Sequence, residues 1–270
     1  MKFIPAKIAA ASVLALSGAA FAQTAAAPAA PAPAASPLSF NIALTSNYKF
    51  RGQDQVTSRT NAFKPSLQGG VDYAFSNGFY LGNWNSTVDF LNPDVTNVTN
   101  KRAKLEMDFY GGYKWNLGDW GFDVGLLQYY YPSATKANVT EAYIGTSYGP
   151  WSAKYSNTLS KGYFGAGYVT GDGRGTQYLN LGFSKEVVPN WTVKAGVGFT
   201  TFKPAVRAAG APNYTDYSLG LSYDFGSGLS LGGYLQGASQ QNSPAYNYTV
   251  NGVTKSANRD TLLFTLTKTL

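Results

Sequence analysis

Thirteen charged side chains are the residues here whose types and spacing could act on a solute. They are Lys49, Arg51, Asp72, Asp89, Glu106, Asp108, Lys114, Asp123, Glu141, Lys154, Lys194, Asp216 and Asp224. Each falls on the polar side of a segment in which polar and apolar residues alternate, so strands would present them to one common face. Enclosed in a water-filled barrel, charges of both signs set a transverse field and a size-limited polar path. The same groups can instead pair into a packed interior, as in small barrels filled by side chains. From sequence both outcomes stay open.

Covalent chemistry is poorly equipped. The chain has neither cysteine nor histidine, so it has no disulfide, no thiolate and no imidazole base. Gly145-Thr146-Ser147-Tyr148-Gly149 matches the G-x-S-x-G pattern, but that chemistry needs a strand-turn-helix elbow and a base. Here the segment reads as a strand entering a turn. The glycine-rich stretch 165–175 lacks G-x-G-x-x-G spacing and a following helix, and reads as a loop. Asp172 alone cannot hold calcium, which takes about six to eight oxygens. No catalytic residue, cofactor or metal is expected. The formal charge is +7, and +5 once an N-terminal leader containing Lys2 and Lys7 is removed. That excess is too small to indicate nucleic acid.

The elements that must position these charges are strands. Even positions of residues 40–50 are Phe, Ile, Leu, Ser, Tyr and Phe, and the odd ones are Asn, Ala, Thr, Asn and Lys. Leu67, Val71, Tyr73 and Phe75 oppose Gln68 and Asp72. After a turn at Ser76-Asn77-Gly78, Tyr80, Trp84, Val88 and Phe90 oppose Asn83, Asn85 and Asp89. The pattern recurs to the last segment, where Leu262, Phe264, Leu266 and Leu270 alternate with Thr261, Thr265, Thr267 and Thr269. The fold class is all-β: a transmembrane antiparallel up-and-down barrel of about twelve strands, over 38–270. Apart from the leader, no apolar run approaches the roughly 20 residues of a membrane helix. Aromatic residues make up 15% and charged residues only 13%, which suits a surface facing lipid.

Short turns alternate with longer polar connections near 52–63, 91–103, 132–137, 160–175, 204–213 and 240–258. Outer-membrane barrels show this asymmetry, with turns in the periplasm and loops outside. A soluble β-sandwich would also alternate. Its strands, however, need not begin and end in aromatics, whereas Trp84, Trp115, Trp120, Trp151, Trp191 and Phe225 sit near segment ends as a girdle at the lipid interface. The connections and the residues beside them carry twelve basic residues, Lys64 and Arg259 among them, against Asp54, Asp94, Asp172 and Asp260. That excess could gather anionic solutes at the mouth, or pair with lipopolysaccharide phosphates around the rim.

Residues 1–22 read as a signal peptide: Lys2 and Lys7, an apolar stretch over 8–20, then Ala20-Phe21-Ala22 before Gln23. Residues 23–37 are nearly all alanine and proline and read as a flexible tether. The alternating C-terminal strand is the kind the outer-membrane barrel assembly machinery recognises.

Ser46-Asn47-Tyr48-Lys49-Phe50-Arg51-Gly52, Gln68-Gly69-Gly70-Val71-Asp72-Tyr73 and Gly78-Phe79-Tyr80-Leu81-Gly82-Asn83-Trp84 resemble, in order, segments of the TorF-type porin family, also called Gcw_chp. The run 106–113, Tyr129-Tyr130-Tyr131-Pro132 and Glu141-Ala142-Tyr143 extend the resemblance, which is densest over 40–160. It implies an outer-membrane barrel with passive transport, and assigns no residue a role. The expected function is a porin for small polar or charged solutes, embedded in outer-membrane lipid. The alternative is a closed structural or surface-interaction barrel whose outer loops bind a partner or lipopolysaccharide.

Overall fold

A strand that is apolar on one face and polar on the other must bury neither edge in hydrocarbon, and closing the sheet on itself satisfies that requirement. The computed structural model describes residues 36–91, 102–164 and 172–270. The expected leader (1–22), residues 23–35 of the tether, Asp94 and most of the stretch 165–175 lie outside the described residues.

The described strands, in chain order, begin with β1 (Leu38–Thr45), β2 (Lys49–Phe50), β3 (Gln53–Asp54), β4 (Ser66–Ala74) and β5 (Phe79–Leu91). Then come β6 (Arg102–Leu117), β7 (Trp120–Tyr130), β8 (Val139–Tyr148), β9 (Trp151–Thr158), β10 (Gln177–Val188) and β11 (Trp191–Thr201). The last are β12 (Tyr214–Gly226), β13 (Leu229–Ala238), β14 (Asn247–Val250), β15 (Val253–Ser256) and β16 (Thr261–Thr269). Twelve of them close into one barrel in which each strand pairs antiparallel with its neighbours. The seam joins β1 to β16, from Asn41↔Thr269 to Thr45↔Thr265. Two small hairpins, β2–β3 and β14–β15, stand apart from the wall.

The outward face is apolar around the ring. Ile42, Leu81, Leu219 and Leu262 are all at least half exposed, which no aqueous wall would favour over so large an area. At the end with the short turns, tryptophans stand opposite aromatic partners on the next strand. Trp115–Phe122, Trp120–Tyr148, Trp151–Phe183 and Trp191–Tyr223 are register partners with ring centroids 5.3, 4.9, 4.7 and 4.9 Å apart. With Phe225 they form the expected aromatic belt at this turn end.

Two expected faces are reversed. Strand β1 ends at Thr45, so Tyr48 and Phe50 never reach the outer wall. They are buried inside the barrel, and Lys49 and Arg51 ride with them on β2 and its turn rather than on the wall. In β5 it is Phe79 and Leu81 that point outward, whereas Tyr80, Trp84 and Val88 are buried in the interior. Trp84 therefore does not belong to the belt. Asn83 and Asn85 take the outward side and satisfy each other: Asn85 Nδ2 donates to Asn83 Oδ1 at 2.6 Å, and Asn83 Nδ2 donates to Asp108 O at 2.9 Å. Both reversals follow from what occupies the interior. The inward segment meets Trp84 through Tyr48, and Tyr80 lies over the inner-wall glycine Gly112, so an inward side chain packs against protein and apolar residues suit both faces.

The wall assignment predicts opposite outcomes for adjacent residues near the middle of β12. Leu219→Arg faces lipid and should cost about 2–4 kcal/mol, as a charge does at the bilayer midplane. Ser218→Arg faces the interior and should insert normally. The heat-dependent shift in gel mobility of the folded barrel measures both; loss with Ser218→Arg but not with Leu219→Arg would invert the assigned faces.

Candidate functional site

The segment between β1 and β4 folds into the barrel and crosses its interior. Its core is the β2–β3 hairpin, turned at Arg51 (φ 47°) and Gly52 (φ 75°). Positive φ at both corners is the geometry of a tight hairpin turn. Gly52 is required for a second reason: a Cβ there would lie 2.5 Å from Gly237 O of β13 and 2.7 Å from Asp216 Cβ of β12.

From this hairpin, side chains reach around the ring. Tyr48 donates to Glu106 Oε1 of β6 at 2.7 Å and meets Trp84 of β5 edge-on at 5.8 Å. Phe50 packs on Tyr129 of β7 at 5.4 Å. Arg51 donates to Glu141 Oε2 of β8 at 2.7 Å and to the Tyr163 hydroxyl at 3.3 Å, with its guanidinium 4.1 Å from the centre of the Tyr178 ring of β10. The anchor lies at Asp54. Its carboxylate meets Lys49 Nζ at 3.0 Å, Lys64 Nζ at 2.7 Å and Arg259 Nη2 at 3.3 Å, and it accepts from Asn47 Nδ2 at 3.2 Å and the Tyr248 hydroxyl at 3.2 Å.

Sequence had placed Asp54, Lys64 and Arg259 among rim charges of exposed loops. The structure instead buries Asp54 and Lys64 completely and ties Arg259 to them, and to Thr60 O at 2.6 Å and Asn61 O at 2.7 Å. The available signal was the pair of aromatics, Tyr48 and Phe50, alternating with Lys49 and Arg51 and ending in Gly52.

The thirteen expected charges divide accordingly. Lys49, Arg51, Glu106, Asp108, Glu141 and Asp216 lie buried in or around the hairpin; Glu106 also accepts from the Tyr131 hydroxyl, and Asp216 from the Tyr178 hydroxyl at 3.1 Å. Asp72 is buried on the inner wall of β4 and accepts from the Tyr110 hydroxyl. Lys114, Asp123, Lys154 and Lys194 are half-buried on the inner wall, nearer the turn end. Two leave the set. Asp89 sits on a bulge at the loop end, pairing with Lys104 at 2.8 Å and Arg102 at 3.8 Å. The bulge follows because residues 55–57 bond to Asp89 along the strand, through Asp89 N to Gln55 O and Thr57 N to Asp89 O. Asp224 is exposed at the turn end, where its Oδ1 accepts the Gly226 N–H at 2.8 Å and closes the β12–β13 turn.

The interior is thus two unlike halves. Inward residues at the loop end, including Thr45, Ser66, Glu106, Tyr129, Glu141, Thr158, Thr200, Tyr214 and Thr261, are buried. Toward the turn end, Asn41, Ser152, Asn180, Thr192 and Ser222 face inward and remain partly open to solvent.

Electrostatics set the strength of the anchor. Burial, only partly offset by Asp54, pushes Lys64 down to about 8. Burial raises the Asp54 pKa, but Lys49, Lys64 and Arg259 more than offset this and hold it below the ordinary carboxylate value. The signs are opposite in effect. Between about pH 8 and the ordinary lysine value the unfolded chain binds more protons at Lys64, so that group's contribution favours the folded state increasingly as pH rises. The Asp54 contribution is complete above the ordinary carboxylate value and is lost as pH falls through its lowered folded value. In side-chain ¹⁵N NMR, one ammonium should titrate near pH 8 and vanish in Lys64→Met; an unchanged spectrum excludes the assignment. Asp54→Ala leaves Lys49 and Lys64 without counter-charge, a loss worth about 3–5 kcal/mol for a buried pair. Amide exchange should then accelerate at Gln55 and Thr57, whose N–H groups bond to Tyr48 O and Asp89 O, while the wall strands stay protected.

Solved porin structures share this shape. The KdgM porin superposes with a TM-score of 0.50 over 86% of this chain and 97% of its own, at 8% sequence identity. The NanC porin superposes with a TM-score of 0.52 over 85% and 97%, at 11% identity. At such identities the likeness is one of fold. The outer membrane phospholipase A of Escherichia coli is more distant, with a TM-score of 0.43 over 86% of this chain and 91% of its own, at 11% identity. No match is found among the curated proteins. The profile of the family described as "Bacterial protein of unknown function (Gcw_chp)" matches residues 29–270, and the chain is a member of that family.

Proposed function

We propose that this protein is an outer-membrane channel of the TorF-type porin kind, passing small polar solutes by passive diffusion, with the inward hairpin as its constriction. The turn end faces the periplasm and the loops face outside. The observation that carries this is the half of the interior below the hairpin. It is lined by small polar side chains such as Asn41, Ser152, Asn180, Thr192 and Ser222, which stay partly open to solvent. Twelve strands enclose more space than the roughly eight whose interior side chains just fill. A purely structural barrel gains nothing from a solvated polar chamber of this kind.

Export through a leader ending at Ala22, and recognition of β16 by the barrel assembly machinery, complete the proposal. The excess of basic residues on the loops suits the phosphates of lipopolysaccharide at the rim. No enzymatic role is proposed: Ser147 lies inward at the turn end of β8, in a chain without histidine.

One observation favours a closed barrel instead, namely the burial of inward residues at the loop end. Planar-bilayer recording separates the two readings. The intact protein should show small discrete conductance steps, and replacing residues 48–55 by a glycine-serine linker should raise the step size several-fold. Conductance from the linker variant alone would establish the closed barrel, and silence from both folded forms would remove the channel.

A further inference from the structure

Below the hairpin, one patch of the inner wall is built for a ligand. Four residues on four adjacent strands lie in a single row: Lys114 of β6 opposite Asp123 of β7, Asp123 opposite Gly145 of β8, and Gly145 opposite Lys154 of β9. The next row toward the loop end is Tyr80, Gly112, Gly125 and Tyr143. The two glycines let the two tyrosine rings lie along the wall. A Cβ on Gly112 would sit 2.6 Å from the Tyr80 hydroxyl, and one on Gly125 would collide with that of Tyr143. The hydroxyls meet each other above the glycines, and Tyr80 also bonds to Asp123 Oδ1 at 2.7 Å.

The tyrosines hold the lysines. Lys114 Nζ lies 4.6 Å from the Tyr80 ring centre, and Lys154 Nζ lies 3.9 Å from that of Tyr143. Among the described residues neither ammonium has a carboxylate within ion-pair distance; Asp123 acts on both from farther off, as Asp72 does on Lys114 and Glu141 on Lys154. Adjacent strands lie about 4.8 Å apart, so the lysine backbones are separated by about 14 Å along the row. Gly145 leaves the space between them clear, since a Cβ there would meet nothing closer than 3.6 Å. Toward the turn end the floor is Asn116, Gly121, Ser147 and Ser152, all small or polar and opening to the chamber.

We propose that this cradle is a binding site for a small hydroxylated monocarboxylate, reached from the turn end. Within the row two lysines flank one carboxylate, an excess of one basic group. A carboxylate bridges the lysines, while the side-chain groups of Ser147, Ser152 and Asn116 bond to the hydroxyl-bearing body. Asp123 makes the site selective: a dianion would place its second charge against a carboxylate already present. The proposal rests on the channel reading for its purpose, as the site that favours this solute class in the pore, but not for its existence.

The test titrates the full folded chain in detergent micelles with D-gluconate or inorganic phosphate at pH 7.5, following lysine side-chain ¹⁵N resonances. Gluconate should shift two of them saturably, and phosphate should bind at least tenfold more weakly. Lys114→Gln with Lys154→Gln should weaken gluconate binding tenfold or more, and Asp123→Asn should bring phosphate close to gluconate. Heat-dependent gel mobility certifies each variant as folded, and the Asp123→Asn exchange of preference stands even if the double variant fails to fold. Equal responses to the two anions in the wild type, or gluconate binding untouched in a folded double variant, would overturn the site. Gluconate binding with silent bilayers keeps the site and removes the channel; conducting bilayers without gluconate binding do the reverse.

Discussion

Closure of the sheet is the constraint on which everything else depends. The β1–β16 seam pairs the first described strand with the last, so no row of backbone N–H and C=O groups is left open along the wall. In hydrocarbon an open edge would cost several kcal/mol for each unpaired group. Once closure is satisfied, strand period two divides every wall residue between two environments. The outer one is uniform and apolar. The inner one varies with height, and the protein's individuality lies there.

That division explains what could be read from the residues. Strands such as β11 and β12 alternate Val193, Val197 and Phe199, or Leu219 and Leu221, against polar partners, and their faces are observed as expected. The reading failed at Tyr48, Phe50, Tyr80 and Trp84, all assigned to lipid and all found inside. Apolarity marks avoidance of water, which a lipid wall and a packed interior provide equally. What separates the two is that residues 46–65 turn inward and that glycines on the neighbouring strands admit a ring, and both depend on contacts between segments far apart in sequence. The candidate site was legible to the same degree. Lys114, Asp123 and Lys154 were placed on the inner face by period alone, but their sharing one row depends on inter-strand register, which no single segment encodes.

Glycine and tyrosine jointly shape the inner wall. Tyr80 and Tyr143 lie over Gly112 and Gly125, Tyr110 over Gly82, Tyr178 over Gly198, and Tyr234 over Gly220 and Gly232. In each case a Cβ on the glycine would overlap the ring. A glycine weakens a strand by itself, but a ring laid across it restores cover to the exposed backbone. The same arrangement turns the phenol hydroxyls along the wall toward carboxylates: Tyr80 to Asp123, Tyr110 to Asp72, Tyr178 to Asp216. The many tyrosines are therefore a structural lining for a charged interior, beyond any role at the lipid interface.

The hairpin is held differently from the wall. Its deepest anchor is a carboxylate shared by Lys49, Lys64 and Arg259, where an apolar cluster of the same size would have satisfied packing. Buried ion pairs add little net stability over well-packed hydrophobic replacements, because desolvation consumes most of the Coulomb gain. What they enforce is position: each partner left alone is penalised, so the segment is either fully seated or released. Arg51 extends that logic across the lumen, since its guanidinium loses Glu141, Tyr163 and the Tyr178 face together if the hairpin moves. An apolar plug could slide by small steps at little cost. A plug fixed by charge resists such sliding, and small polar residues line the wall toward the turn end beneath it.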